Sequence, residues 1–308
     1  MLDKLPHDLV LYLADFVVPL PTAANLVERR GICEALSLLH PTWTAVGQAK
    51  LFEHLPVTLP TDPERLAQRL EAARRNRPQI NSLEVTGPGD VGYVREPIDE
   101  LVRSCGRVRH LILKRFPDFP LLWSTVPELQ SLSFDGRIDN LHFASLVSLA
   151  TLPSTLTRLS LTHVRLASAP PSLPHIHTLI LCRSSLDKTA DCFPFFSSFP
   201  SLRTLAWDES APTPSASFFT HAPPTLRHVL LGIPTALHYG LEESALTALE
   251  DKPPLKSLTF RGSAPPDLAV MDKFEQVKAR CLERGTRFVP IVAQPDWFDL
   301  ERWSLSVF

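Results

Sequence analysis

The sequence predicts an α/β fold, in which a small helical domain leads into a right-handed solenoid of repeated strand-and-return units. The strands form one curved parallel sheet, with helices and irregular segments on the convex side. Three observations predict it. A triad of apolar residues at offsets 0, 3 and 5 occurs eight times: Ile80/Leu83/Val85, Val108/Leu111/Leu113, Leu129/Leu132/Phe134, Leu156/Leu159/Leu161, Ile176/Leu179/Leu181, Leu202/Leu205/Trp207, Leu226/Val229/Leu231 and Leu255/Leu258/Phe260. The step between triads is 20 to 29 residues, the length of one strand-and-return unit in a stacked array. Residues 1–56 lack the triad and show helical spacing instead.

Each triad ends in two apolar residues two apart, which share a face in a strand. In the fourth copy Leu159 and Leu161 point inward, while Arg158, Ser160 and Thr162 point the other way. Applied to every copy, the same parity assigns Leu111, Leu113, Leu132, Phe134, Leu179, Leu181, Leu205, Trp207, Leu258 and Phe260 to the core. The opposite face is expected to be concave and to meet a target. Its candidate contacts are His110, Lys114, Ser133, Asp135, Arg158, Ser160, Thr162, Ile180, Asp208, His228 and Arg261. Small and polar residues dominate it, with charges of both signs, which suits a protein or peptide and gives no single-sign field.

In the N-terminal segment, Leu5, Leu9, Leu13 and Phe16 recur at helical spacing, so a helix is predicted over Pro6 to Val17. Pro6 suits a first turn, and Pro19 and Pro21 stop the helix. A second helix is predicted from about Asn25 to Leu39 and a third from Pro41, with Trp43, Val46, Leu51 and Phe52 as apolar positions.

Leu5-Pro6 with Leu9, Val10 and Leu13, then Leu36 to Leu39 leading to Trp43, then Leu51-Phe52 running to Leu55 and Val57, resembles an F-box over residues 4–57. An F-box followed at once by leucine-rich repeats resembles the fungal type of F-box/leucine-rich-repeat protein. The resemblance implies an F-box-like helical domain over 1–57 and a leucine-rich-repeat solenoid with a C-terminal cap over 58–308. It also implies the substrate-receptor role in an SCF-type cullin–RING ubiquitin ligase. Leu5, Pro6, Leu9, Val10, Leu13, Leu36, Leu39 and Trp43 would dock a Skp-type adaptor, and through it the cullin, while the repeats hold an unknown target protein. A second reading stays open: the helices only cap the first core layer of a leucine-rich-repeat scaffold that has no ligase link.

Between the strands, helical or turn segments are expected over 97–105, 139–149, 186–199, 241–250 and 268–284, with proline-rich irregular returns at 116–123, 166–173 and 211–220. A basic helix is expected over Pro63 to Arg77, its arginines facing solvent. Thr286 to Val292 reads as a ninth, divergent strand. The aromatic tail with Trp297, Phe298, Leu300 and Trp303 is expected to cap the last core layer, the alternative being a fold onto the concave side.

Composition excludes several classes. The net charge is −2, from 31 basic and 33 acidic residues, which argues against a nucleic-acid or anionic-membrane partner. Five cysteines at wide spacing without CxxC argue against disulfides or zinc and fit a reducing cytoplasm and/or nucleus. The run Leu9 to Leu20 is too short to span a bilayer, and no signal peptide is expected. GxSxG, P-loop and HExxH motifs are lacking, so no enzyme, catalytic residue, metal or cofactor is predicted. His175 and His177 share a face but lack a third ligand, and Cys182 reads as a filler between neighbouring strands. The 30 prolines, about twice the usual share, fall between the strands, where the chain must turn.

Overall fold

The computed structural model describes residues 6–19, 26–59, 62–75, 79–88, 96–116, 123–137, 144–146, 149, 152–166, 172–186, 196–208, 210, 222–233, 255–262, 268–292, 300 and 303–304. Among these the chain is α/β. The helices are α1 (His7–Val17), α2 (Leu26–Leu39), α3 (Pro41–Phe52), α4 (Pro63–Arg75), α5 (Glu96–Cys105) and α6 (Leu268–Glu283). The strands are β1 (His54–Thr58), β2 (Ser82–Thr86), β3 (His110–Lys114), β4 (Ser131–Asp135), β5 (Ala144–Leu146), β6 (Arg158–Thr162), β7 (Val164–Leu166), β8 (Thr178–Cys182), β9 (Ser185–Leu186), β10 (Thr204–Asp208), β11 (His228–Ile233), β12 (Ser257–Gly262) and β13 (Arg287–Val292).

Ten strands make one sheet in the order β1-β2-β3-β4-β6-β8-β10-β11-β12-β13, and β5, β7 and β9 make a second. Every pair in both sheets is parallel. The eight sequence triads supply eight of the ten strands, and β1 and β13 flank them. The expected boundary at residue 57 falls inside β1, which leaves the helical segment and pairs with β2.

Register follows the apolar pairs. Leu83, Leu111, Leu132, Leu159, Leu179, Leu205, Val229 and Leu258 form one column. Val85, Leu113, Phe134, Leu161, Leu181, Trp207, Leu231 and Phe260 form the next. All are buried in one cluster with Ala73 from α4, with Ile98, Leu101 and Val102 from α5, and with Cys281 from α6. The core therefore lies between one face of the sheet and the returning segments.

Proline shapes the returns. Before β4, β8, β10 and β11 a turn is closed by Leu129 N–H to Val126 O (3.1 Å), Ile176 to Leu173 (3.2 Å), Leu202 to Phe199 (3.1 Å) and Leu226 to Pro223 (3.1 Å). The second residue of each turn is Pro127, Pro174, Pro200 or Pro224, where a fixed φ suits the geometry. Thr225 Oγ1 donates to Leu202 O at 2.8 Å and so ties one turn to the next. Proline also sits in both outermost strands, as Pro56 in β1 and Pro290 in β13.

The first three helices have their own cluster of Val10, Ala14, Val18, Cys33, Leu36, Trp43 and Val46. Helices α2 and α3 approach closely at Gly47, where a Cβ would lie 2.6 Å from Cys33 O. A buried arginine joins the helices: Arg29 donates to Pro19 O (3.1 Å), Lys50 O (2.8 Å) and Glu53 Oε2 (3.0 Å). Lys50 adds ion pairs to Asp15 (2.5 Å) and Glu53 (2.7 Å). The Glu53 carbonyl accepts Asn81 N–H (3.1 Å) and Ser82 N–H (2.9 Å), which continues the helical unit into the sheet.

Some expected returns differ. Within the expected helical or turn segment 139–149, the described residues Ala144–Leu146 form strand β5 and Leu149 lies in a 3-10 turn, and β7 and β9 are further short strands in the described part of the returns. Strands β7 and β9 begin just after β6 and β8, beyond His163 (φ 53°) and Arg183 (φ 47°), which take the left-handed conformation. Residues 211–220 and 241–250 lie outside the described residues. Among the described residues no helix is long and apolar enough to cross a membrane.

Leu159→Ala should lower unfolding stability by about 2–5 kcal/mol, whereas Thr162→Ala on the same strand should cost far less; urea titration of both checks this. Arg29→Ala leaves the Pro19 and Lys50 carbonyls without a donor beside a buried cavity and Glu53 with Lys50 alone, and should cost about 3 kcal/mol in the same measurement.

Candidate interaction faces

Helix α1 is apolar nearly all round, and its two stripes have different fates. Val10, Ala14 and Val18 are buried in the helical cluster, and Leu11 and Leu13 are half-buried against it. Leu9, Tyr12 (67% exposed), Phe16 (83%) and Val17 face away. On α2, Val27, Leu38 (87%) and Leu39 are exposed. Of the residues expected at an adaptor contact, Pro6, Leu9 and Leu39 are therefore exposed. Val10, Leu36 and Trp43 hold the helices together instead, Leu13 is half-buried, and Leu5 lies outside the described residues. Tyr12, Val27 and Leu38 were missed, and Phe16, read as an apolar helix position, was not assigned to the contact, although the spacing of Leu9, Tyr12 and Phe16 could have marked them as one stripe.

On the sheet face opposite the core, the first strands carry a polar network. His54 Nδ1 and Ser82 Oγ are 2.9 Å apart, and Lys114 Nζ donates to Glu84 Oε1 at 2.7 Å. Burial alone would raise the Glu84 carboxyl, but the His54 ring and the Lys114 ammonium outweigh it and hold the group below its ordinary 4.5. Farther along, His163 Nδ1 lies 3.0 Å from Asp135 Oδ1. His110, Lys114, Ser133, Asp135, Arg158 and Thr162 are all half-buried and reachable. Burial, then Arg158 and Arg109, lower the His110 pKa from 6.5 to about 4.

Beyond β6 the same face is covered. Leu300 and Trp303 of the tail pack on Ile180, Ala206 and Leu230, with Cys182 half-buried against them. Trp303 Nε1 donates to Thr259 Oγ1 at 3.2 Å. Leu300 and Trp303 thus lie on the face away from the core, the alternative in the sequence expectation, while Trp297 and Phe298 lie outside the described residues. Ile180, Asp208 and His228 are buried, as is Ser160, so these four are not open contacts as expected. Asp208 pairs with Arg261 across the intervening strand. Gly232 on that strand makes this possible, because a Cβ there would lie 1.6 Å from Asp208 Oδ1. His228 Nδ1 and Ser257 Oγ are 2.8 Å apart, repeating the His54–Ser82 pairing at the other end of the sheet.

Burial raises the thiol pKa of Cys33 and Cys281, and that of Cys105 to about 12, so these three stay protonated at neutral pH. Among the described residues no group of three or more His, Cys, Asp or Glu could hold a metal ion. Fold and faces together define an α/β protein built on a ten-stranded parallel sheet, with an exposed apolar helix stripe at one end and a half-covered polar face. No protein-family model matches the chain, and no curated protein matches it.

His110 binds a proton more weakly in the folded chain than in the unfolded one. Its contribution is therefore fully present above pH 6.5, falls between pH 6.5 and about 4, and levels off below. The loss should reach about 3 kcal/mol, and a His110→Gln variant should show a shallower fall of Tm over that range. Trp303→Ala should uncover Ile180 and Leu230, seen as faster amide exchange in β8 and β11 with β2 and β3 unchanged.

Proposed function

We propose that the chain is a substrate receptor of an SCF-type cullin–RING ubiquitin ligase. On this reading the N-terminal helices act as an F-box that docks a Skp-type adaptor, and the strand array is a leucine-rich-repeat solenoid that holds a target protein. The observation that carries the reading is the exposed apolar stripe Leu9, Tyr12 and Phe16, with Leu38 and Leu39, on a small helical unit that leads directly into stacked parallel strands. Large apolar side chains left open on an otherwise packed unit suit a helix-in-groove contact, where a few anchors carry most of the energy. The target would sit on the reachable part of the polar face, along β2, β3, β4 and β6. The receptor forms no bond to ubiquitin. It raises the effective concentration of target lysines near a charged conjugating enzyme, in the cytoplasm and/or nucleus.

A second reading has its own support. The Glu53 carbonyl bonds to Asn81 and Ser82, and the Glu53 side chain grips Arg29, as a cap of the first strand layer requires. On that reading the helices only close the array. Co-purification separates the two. Tyr12→Asp/Phe16→Asp alters exposed positions, so it should abolish capture of a Skp-type adaptor while leaving the thermal melt within a few degrees of wild type. A wild-type chain that captures no such adaptor sinks the ligase reading and leaves the cap.

A further inference from the structure

A row of cations runs along the sheet edge formed by the N-terminal ends of the strands. The residue before β10 is Arg203, before β11 Arg227 and before β12 Lys256, and before β8 stands the neutral ring of His177. The backbone ladder extends one rung past the strands here. Arg203 N–H donates to His177 O, Arg227 to Arg203 and Lys256 to Arg227, each at 2.8 Å, and Arg287 donates to Lys256 O at 2.9 Å. The side chains of Arg203, Arg227 and Lys256 therefore start from adjacent rungs, about 4.8 Å apart, over about 10 Å of edge.

Arg203, Lys256 and Arg287 are exposed. Arg227 is half-buried, its Nη1 fixed by Pro224 O at 2.8 Å and Leu226 O at 3.1 Å. Among the described residues none of these four pairs with a carboxylate, whereas Arg30, Arg74 and Arg75 on the helices each do. The field also reaches neighbouring rings. Burial and then Arg203 lower the His177 pKa, and burial, Lys256 and Arg227 lower that of His228. Like charges on adjacent rungs repel one another, in a chain whose overall charge is −2.

We propose that this edge docks an acidic linear segment of a partner protein, an extended stretch rich in Asp and Glu lying across the starts of β10, β11 and β12. An extended chain rises about 3.3 Å per residue, so the row matches about three residues of such a segment. So short a row is a weak footprint for a nucleic acid, whose binding grows with the number of phosphates neutralised. The contact would orient the partner and speed encounter, and it stands whether or not the N-terminal helices dock an adaptor.

The full chain is titrated against a fluorescent peptide of about ten residues that alternates Glu or Asp with Ser or Gly, with anisotropy as the readout. Saturable binding at about 50 mM salt, weakened at least tenfold at about 300 mM, is expected. Arg203→Glu/Lys256→Glu should weaken it at least tenfold, and Arg74→Glu/Arg75→Glu, an equal change of charge on α4, should leave it within twofold. Arg203→Gln/Lys256→Gln should give a smaller but measurable loss, and it decides the matter if the Glu variant misfolds. The proposal is overturned by absence of saturable peptide binding, by equal loss in the sheet-edge and α4 variants, or by tighter binding of a single-stranded oligonucleotide of the same charge.

Discussion

Each strand of the large sheet from β2 to β12 sends two apolar side chains to the same face, and parallel pairing stacks them into two unbroken columns from Leu83 and Val85 to Leu258 and Phe260. The columns fix the register. A slip of one residue in any strand would send its pair to the polar face and its polar residues into the core, at a cost the neighbouring strands could not absorb. The returns are free to vary in length because the columns and the proline turns before β4, β8, β10 and β11 deliver each strand to its place.

The large sheet was legible for the same reason. An apolar pair two apart, recurring at short steps, leaves few arrangements other than stacked parallel strands, and the divergent β13 could be read from its place after the last copy. The three-residue strands β5 and β7 carry too few residues for an alternation to register, and β9 has two. Strands β7 and β9 follow left-handed turns at His163 and Arg183, and Arg is a residue type that does not announce such a conformation. On α1 the difficulty was different. With apolar residues on every side, periodicity gives a helix but not its orientation, and only packing against Cys33, Leu36 and Trp43 chooses Val10 and Ala14 for the inside. The contact of Trp303 with Thr259 joins residues 44 apart in sequence, which no local pattern signals.

The polar face is thereby divided along its length. From β1 to β6 it holds ionisable groups that answer one another at short range, such as Glu84 with Lys114 and Asp135 with His163, and these remain within reach of solvent. From β8 to β12 it is a second, smaller core made by Ile180, Ala206, Leu230, Leu300 and Trp303, with the Asp208–Arg261 pair beside it. Cys182 Sγ lies 3.5 Å from Asp208 Oδ2, and the absence of a side chain at Gly232 lets that carboxylate lean across a strand. Covering this half protects apolar residues that would otherwise face water and leaves recognition to the charged half.

An array of parallel strands has no intrinsic end, since each new strand offers the next an identical row of donors and acceptors. The prolines in β1 and β13 bear on this. Each removes a backbone N–H from an outermost strand, and at the β1 side Arg69 of α4 occupies the Pro56 carbonyl at 2.5 Å. A second copy of the chain approaching either side finds an interrupted template. The sheet is thus terminated in its backbone chemistry as well as in its length, which guards an otherwise extendable architecture against growing into a fibre.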